Sequence, residues 1–171
     1  MFAAHFAAGV AIKSRVPEAP IRPLLVAVFL PDFIWIALGA AGVEPAAPER
    51  FFDGWSHSLV MVLLYAVVFA LAFRRMGRAV WLAMFVAVLS HFVLDLPIHP
   101  RPLELYPHSA IRFDLALGTV DSMRYWVLQI AVIAVLLAVY VAGMRRLREA
   151  PARTIQTCLG VLAMHAIFLP Q

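Results

Sequence analysis

The segment from Ser90 to His99 repeats metal-ligand side chains every four residues, with His91, Asp95 and His99 at positions i, i+4 and i+8. Four residues make about one helical turn, so His91 and Asp95 are predicted to share one helix face. An imidazole and a carboxylate one turn apart are common ligands of zinc and similar ions. The spacing predicts a metal-binding or catalytic pair. The alternative is a histidine hydrogen-bonded to a carboxylate, joining two helices. Pro97 can end or kink the helix, so His99 follows less directly.

Three further ionisable residues, His5, Asp32 and His57, interrupt apolar stretches. Ionisable groups inside a membrane span are costly and indicate function by default. For His5 the alternative is a histidine at the membrane interface. Asp53 or Ser56 is expected to cap the helix that begins near His57, because both residue types favour that position.

Estimated depths place these five groups within reach of one another, given helix tilt and breaks. Counting about 1.5 Å per residue from the flanking basic residues, we expect heights of about 12 Å for His5, 15 Å for Asp32 and 20 Å for His91. The same count gives about 25 Å for both His57 and Asp95. The side chains are therefore predicted to converge on one site in the outer half of a membrane.

The composition determines the surroundings of such a site. Hydrophobic residues make up 64% of the 171 residues and charged residues 14%. Soluble domains average roughly 45–50% apolar and about 25% charged residues. The chain is therefore predicted to be an all-α polytopic membrane protein that forms a single domain over residues 1–171. Membrane lipid is its expected partner, and no nucleic-acid partner is expected.

Five stretches approach the length of about 20 residues that a membrane span requires. They are Pro23–Val43, Ser58–Phe73, Ala79–Leu96, Trp126–Met144 and Thr154–Leu169. The opening stretch, Phe2–Ile12, is too short to span and is predicted to be a half-helix. Strands are not expected, because these runs lack the alternation of a barrel strand.

The basic residues predict the orientation. Ten of the fourteen fall on one side of the five predicted spans: Lys13, Arg15, Arg22, Arg74, Arg75, Arg78, Arg145, Arg146, Arg148 and Arg153. This side should be cytoplasmic, since positive loops remain inside. Topology alone accounts for these residues; the alternative is a specific anionic-lipid site. The opposite loops, Glu44–Ser56 and Pro97–Tyr125, should face outward, and the apolar content of the second predicts that it lies on the membrane.

The order of these motifs resembles the bacterial inner-membrane family of membrane-bound metal-dependent hydrolases, which includes hydrolases associated with the LexA response. The matching segments are His5-Phe-Ala-Ala-Gly9, Leu30-Pro-Asp32, Ser56-His57-Ser58, and Ser90-His91 with Asp95 and a proline-rich loop. The resemblance covers residues 1–108. It implies a multi-pass protein of the bacterial inner membrane with hydrolase activity.

Two motifs depart from the family pattern. The family often reads Pro-Asp-x-Asp-His, whereas Ile34 and Trp35 occupy the last two positions here. The family often has Arg-Gly before Thr-His-Ser, whereas Asp53-Gly54 stands here. If the missing groups bind a second metal or a phosphate, this site is reduced, and His99 and His108 are the available substitutes.

Together these patterns predict a membrane-embedded metal-dependent hydrolase with one divalent ion, most simply zinc. The candidate ligands are His5, Asp32, His57, His91 and Asp95, with His99 as a further one. Three ligands leave room for a water whose pKa falls to about 7. Asp32 or Asp95 would act as general base on an ester or phosphoester, which the location suggests is lipid-derived. The alternatives are a transporter or a proton or metal relay, and a non-catalytic structural membrane protein.

Overall fold

The computed structural model describes residues 2–45, 50–97, 99, 101–115 and 123–167. These residues are mostly helical, which confirms the all-α prediction. The helices are α1 (Phe2–Arg15), α2 (Ile21–Val28), α3 (Leu30–Ala40), α4 (Gly54–His57), α5 (Leu59–Leu71), α6 (Arg78–Asp95), α7 (Met123–Arg146) and α8 (Pro151–Ala166). A short 3-10 turn covers Arg74–Met76, and the two-residue strands β1 (Leu103–Glu104) and β2 (Arg112–Phe113) pair antiparallel.

The number of spans differs from the prediction of five. Among the described residues, α6 and α7 are long and apolar enough to cross a membrane, and α2 with α3 makes a third if the bent pair is one span. The 13 residues of α5 rise only about 20 Å, less than the roughly 30 Å of a hydrocarbon core. Extended backbone at Ser58 separates this helix from α4, and the helix ends at Leu71. The predicted last span is not found either: α8 has 16 residues and is less apolar than α5, and the predicted end at Leu169 lies outside the described residues.

The first predicted span is broken between α2 and α3, which meet at 58°. Pro31 lies in the first turn of α3, where its missing N–H costs nothing. In a continuous helix the same proline would remove a hydrogen bond and clash with the preceding turn. Pro31 therefore marks a kink in the first predicted span, and the break lies at Phe29. Asp32 consequently lies in the first turn of a new helix.

The N-terminal helix α1 is packed along α6 and α7. Ala7 shares an apolar cluster with Ile133, and Ser14 lies against Gly143, so α1 and α7 run in the same direction. The side chain of His5 meets Asp95 at the end of α6, which therefore runs the opposite way. The predicted half-helix is thus a 14-residue helix at the centre of the bundle.

These directions place the end of α1, the start of α6 and the end of α7 at one end of the bundle. The ten basic residues grouped in the sequence belong to these helix ends and to the turns that join them. The candidate ligands and the β1–β2 hairpin lie toward the other end. The hairpin is attached to the start of α5 by a hydrogen bond from the Val60 N–H to the Leu105 carbonyl, at 2.9 Å.

Candidate metal centre

Buried histidine and aspartate side chains from four helices could hold a metal ion. The cluster contains three overlapping triads, and within each triad the three possible ligand atoms lie within 4.8 Å of one another. They are His5 with His91 and Asp95, Asp32 with His57 and His91, and His57 with Asp95 and His99. All six residues that the sequence singles out as ligands therefore lie in one connected cluster.

The triad of Asp32, His57 and His91 has a nearly equilateral geometry. The Nε2 atoms of His57 and His91 are 3.3 Å apart, and Oδ1 of Asp32 lies 3.4 Å and 3.6 Å from them respectively. Zinc bonds of about 2.0–2.1 Å in a tetrahedron require ligand atoms about 3.3–3.4 Å apart. The three atoms thus form nearly the face that a tetrahedral ion needs. The Asp32 side chain remains 34% exposed, so this triad is open on one side.

The orientation of His91 is fixed by a break in a neighbouring helix. Its Nδ1–H donates to the carbonyl of Val28, at 2.8 Å. Val28 ends α2, and the last carbonyls of a helix have no partner within it. Because a carbonyl can only accept, Nδ1 carries a proton, and in the neutral ring Nε2 presents its lone pair to the cluster. The bend in the first predicted span therefore sets the tautomer of a ligand on α6.

His57 is oriented in the same way. Its Nδ1 lies 2.7 Å from Oγ of Ser56, whose hydroxyl donates to the Asp53 carbonyl at 3.1 Å. With the hydroxyl proton used there, Nδ1 of His57 donates and Nε2 is left without a proton. The two Nε2 lone pairs of His57 and His91 then face each other at 3.3 Å. Such an arrangement is unfavourable unless a cation lies between them.

His5 adds a second pair of contacts to the cluster. Its ring stacks on that of His91 with centroids 4.0 Å apart, and its Nε2 lies 3.2 Å from Oδ1 of Asp95. The other carboxylate oxygen of Asp95 is 3.2 Å from Nε2 of His91. Among the described residues, neither ring nitrogen of His5 makes a hydrogen bond of regular geometry. A buried imidazole in this state is suited to binding an ion, and its 1% exposure places His5 inside the bundle rather than on its surface.

His99 reaches the cluster despite Pro97, because its N–H donates to the Asp95 carbonyl at 2.7 Å and continues the helical spacing by one step. Its Nδ1–H donates to the Arg101 carbonyl at 2.9 Å, and its Nε2 lies 3.4 Å from Oδ2 of Asp53. Burial lowers the pKa of His99, which favours the neutral form that a ligand requires. Asp53 is thus a contact of the cluster that the sequence did not predict.

The expected cap of α4 is wrong in its details. Asp53 occupies the N-cap position without a side-chain hydrogen bond to the helix. Instead, Oε1 of the fully buried Glu44 accepts the N–H groups of Trp55 and Ser56, at 2.6 Å and 3.0 Å. Glu44 therefore holds the turn that carries His57. It lies in a proline-rich loop, and no local pattern in the sequence connects the two residues.

His108 does not substitute for a missing ligand. Its ring stacks on Phe52 with centroids 4.4 Å apart, and it belongs to none of the three triads. Its backbone has a φ of 63° and its N–H donates to Oε2 of Glu104, so it serves the turn of the hairpin.

No protein-family model, curated protein or solved structure matches this chain. The resemblance to membrane-bound metal-dependent hydrolases therefore remains a hypothesis that depends on the motif order.

Proposed function

We propose that this protein is a membrane-embedded, metal-dependent hydrolase of the bacterial inner membrane that cleaves an ester or phosphoester of a lipid-derived substrate. The observation that carries the proposal is the triangle of Asp32 Oδ1, His57 Nε2 and His91 Nε2, with edges of 3.3–3.6 Å. The motif order adds support, because these residues fall where the resembling family has its own.

Asp32, His57 and His91 are the residues that would hold the ion, and zinc suits two imidazoles and a carboxylate. Three protein ligands with one open position are typical of catalytic zinc, whereas four ligands are typical of structural zinc. A bound zinc ion would supply an activated water near neutral pH. The partial exposure of Asp32 supports the open arrangement.

Asp95 is the group best placed to accept the proton of the attacking water. It is buried one turn beyond His91 and is not a member of the open triad. Its Oδ1 lies 3.2 Å from Nε2 of His5, so His5 can orient the carboxylate and share the proton. In this scheme Asp32 is a ligand, Asp95 is the general base and His5 is a positioning residue.

The surroundings of the open triad favour an apolar substrate. Phe33, next to Asp32, is 50% exposed, and Trp55, two residues before His57, is 40% exposed. On the nearby hairpin, Tyr106 and Ile111 are also exposed. A lipid-derived ester can bring its apolar part to such side chains while its polar group reaches the triad.

A relay of protons or metal ions is the second candidate. Polar contacts of 3.2–3.3 Å connect His57 to His91, His91 to Asp95 and Asp95 to His5. A continuous series of titratable groups is what proton-conducting proteins use. This candidate predicts movement of protons or ions without turnover of an ester.

The test is hydrolysis by the purified protein in detergent, with bis(p-nitrophenyl) phosphate and p-nitrophenyl butyrate as probes. Chelation should abolish turnover and zinc should restore it, while His91→Ala should be inactive even with added zinc. His165→Ala is the matched control, because His165 is also buried but stacks on Trp126 outside the cluster. Metal binding without turnover of either probe in wild-type protein would contradict the proposal and favour the relay.

A further inference from the structure

A groove of about 530 Å³ runs between α1, α6 and α7, away from the candidate metal centre. Small side chains of two helices create it: Ala8 and Ala11 on α1, and Ala79 and Ala83 on α6. Its volume falls within the range of about 300–1,000 Å³ that is typical of small-molecule pockets.

The two ends of the groove differ. At one end lies Ser90, whose hydroxyl donates to the Ala87 carbonyl at 2.7 Å and is thereby satisfied within its own helix. At the other end lies Arg15, beside Ala79, and only apolar atoms of Arg15 line the groove. The distance along α6 between these ends is about 16 Å at 1.5 Å per residue. An elongated apolar molecule with one charged end fits this shape.

The position of the groove within the bundle indicates which molecule would occupy it. The groove lies between α1 and the two helices that are long and apolar enough to span a membrane. An apolar groove left empty forfeits dispersion contacts, and lipid acyl chains are the molecules at hand to fill it. We therefore take one acyl chain as the occupant of the apolar part.

The charged end selects the headgroup. Among the described residues, Arg15 makes no ion pair, whereas Nζ of the nearby Lys13 is committed to the carbonyls of Pro17 and Ala19. The same end of the bundle carries ten basic residues and only two acidic ones, Glu18 and Glu149. Guanidinium groups bind phosphate in a bidentate manner, and a positive surface favours lipids with net negative charge.

We propose that this groove binds one acyl chain of an anionic phospholipid from the leaflet at the basic end, with its phosphate on Arg15. The site is independent of the hydrolase proposal, since it contains none of the six candidate ligands. A lipid there would fill the space between α1, which carries His5, and α6, which carries His91 and Asp95.

The test is native mass spectrometry of the purified protein with equal amounts of phosphatidylglycerol and phosphatidylcholine of the same acyl chains. We expect one retained phosphatidylglycerol and a preference of about fivefold, the size of one basic residue's contribution near a membrane surface. Arg15→Gln should remove the preference. Arg78→Gln is the matched control, because Arg78 lies at the same end but does not line the groove.

Filling the groove tests the acyl chain separately. Val86→Trp, at a half-exposed lining residue, should abolish retention of either lipid, whereas Val93→Trp, exposed on the same helix outside the groove, should not. Glycerol phosphate, which has the headgroup but no acyl chain, should not compete. A preference that survives Arg15→Gln, retention that survives Val86→Trp, or full competition by glycerol phosphate would each overturn the proposal.

Discussion

The positions of the ring protons on two histidines determine whether the cluster attracts a cation. His57 and His91 each use Nδ1 as a donor, to Ser56 Oγ and to the Val28 carbonyl, and each presents Nε2 to the other. In metal sites the group that accepts the second ring N–H fixes the tautomer and the direction of the ligand. Ser56 is thus a positioning residue for His57.

Ser56→Ala should lower zinc affinity by about 10–100-fold, as loss of such a supporting partner typically does. Ser58→Ala is the control, because Ser58 is equally buried and its hydroxyl has no hydrogen-bond partner among the described residues. Titration with a competing zinc chelator measures the zinc affinity of both variants. Equal affinities in the two variants would show that Ser56 does not orient the ligand.

At this scale the sequence predicts those contacts that join residues of the same helix. His91 and Asp95 share a face because the α-helix repeat is a property of the segment itself. The contacts of Glu44 with α4 and of Val28 with His91 join residues 11 and 63 positions apart, and only tertiary packing brings them together.

At the scale of elements, the short helix α4 depends on one buried carboxylate. Glu44→Ala would leave two N–H groups without an acceptor and should lower the free energy of unfolding by about 1–3 kcal/mol. The exposed Glu18→Ala should change it by no more than about 0.5 kcal/mol. Denaturant unfolding in detergent measures the free energy of unfolding of both variants. Equal values would show that Glu44 does not stabilise α4.

The contact of α1 with α7 allows a second comparison. A Cβ at Gly143 would overlap Ser14, including its backbone carbonyl, whereas Gly160 on α8 has open space around it. Gly143→Ala should therefore destabilise the protein by about 1–3 kcal/mol through overpacking. Gly160→Ala should stabilise it by up to about 1 kcal/mol through helix propensity. Stabilisation by both substitutions would contradict the close packing of α1.

Helix lengths were harder to predict than helix identity. Apolar composition indicates a helix but does not reveal that the predicted span Ser58–Phe73 forms a helix only over Leu59–Leu71. Pro31 favours a bend at this position, since its effect on the preceding turn is local. The position of the break at Phe29 depends on how α2 packs against α6, where His91 binds the free carbonyl of Val28.

For the whole molecule, the clustering of basic residues at one end predicts the orientation. In a variant with Cys158 replaced by alanine, cysteine at exposed Ala110 should be labelled by an impermeant reagent from outside intact cells. Cysteines at Met76 and Glu149, at the basic end, should be labelled only after lysis. Labelling of these two from outside would reverse the topology.

The central claim is that Asp32 Oδ1, His57 Nε2 and His91 Nε2 together bind one zinc ion. The most direct measurement is X-ray diffraction from crystals of the purified protein at energies on both sides of the zinc absorption edge. We expect an anomalous peak about 2.0–2.2 Å from Nε2 of His57, Nε2 of His91 and Oδ1 of Asp32. If zinc-supplemented crystals show these atoms in place without such a peak, the account of a metal centre is wrong.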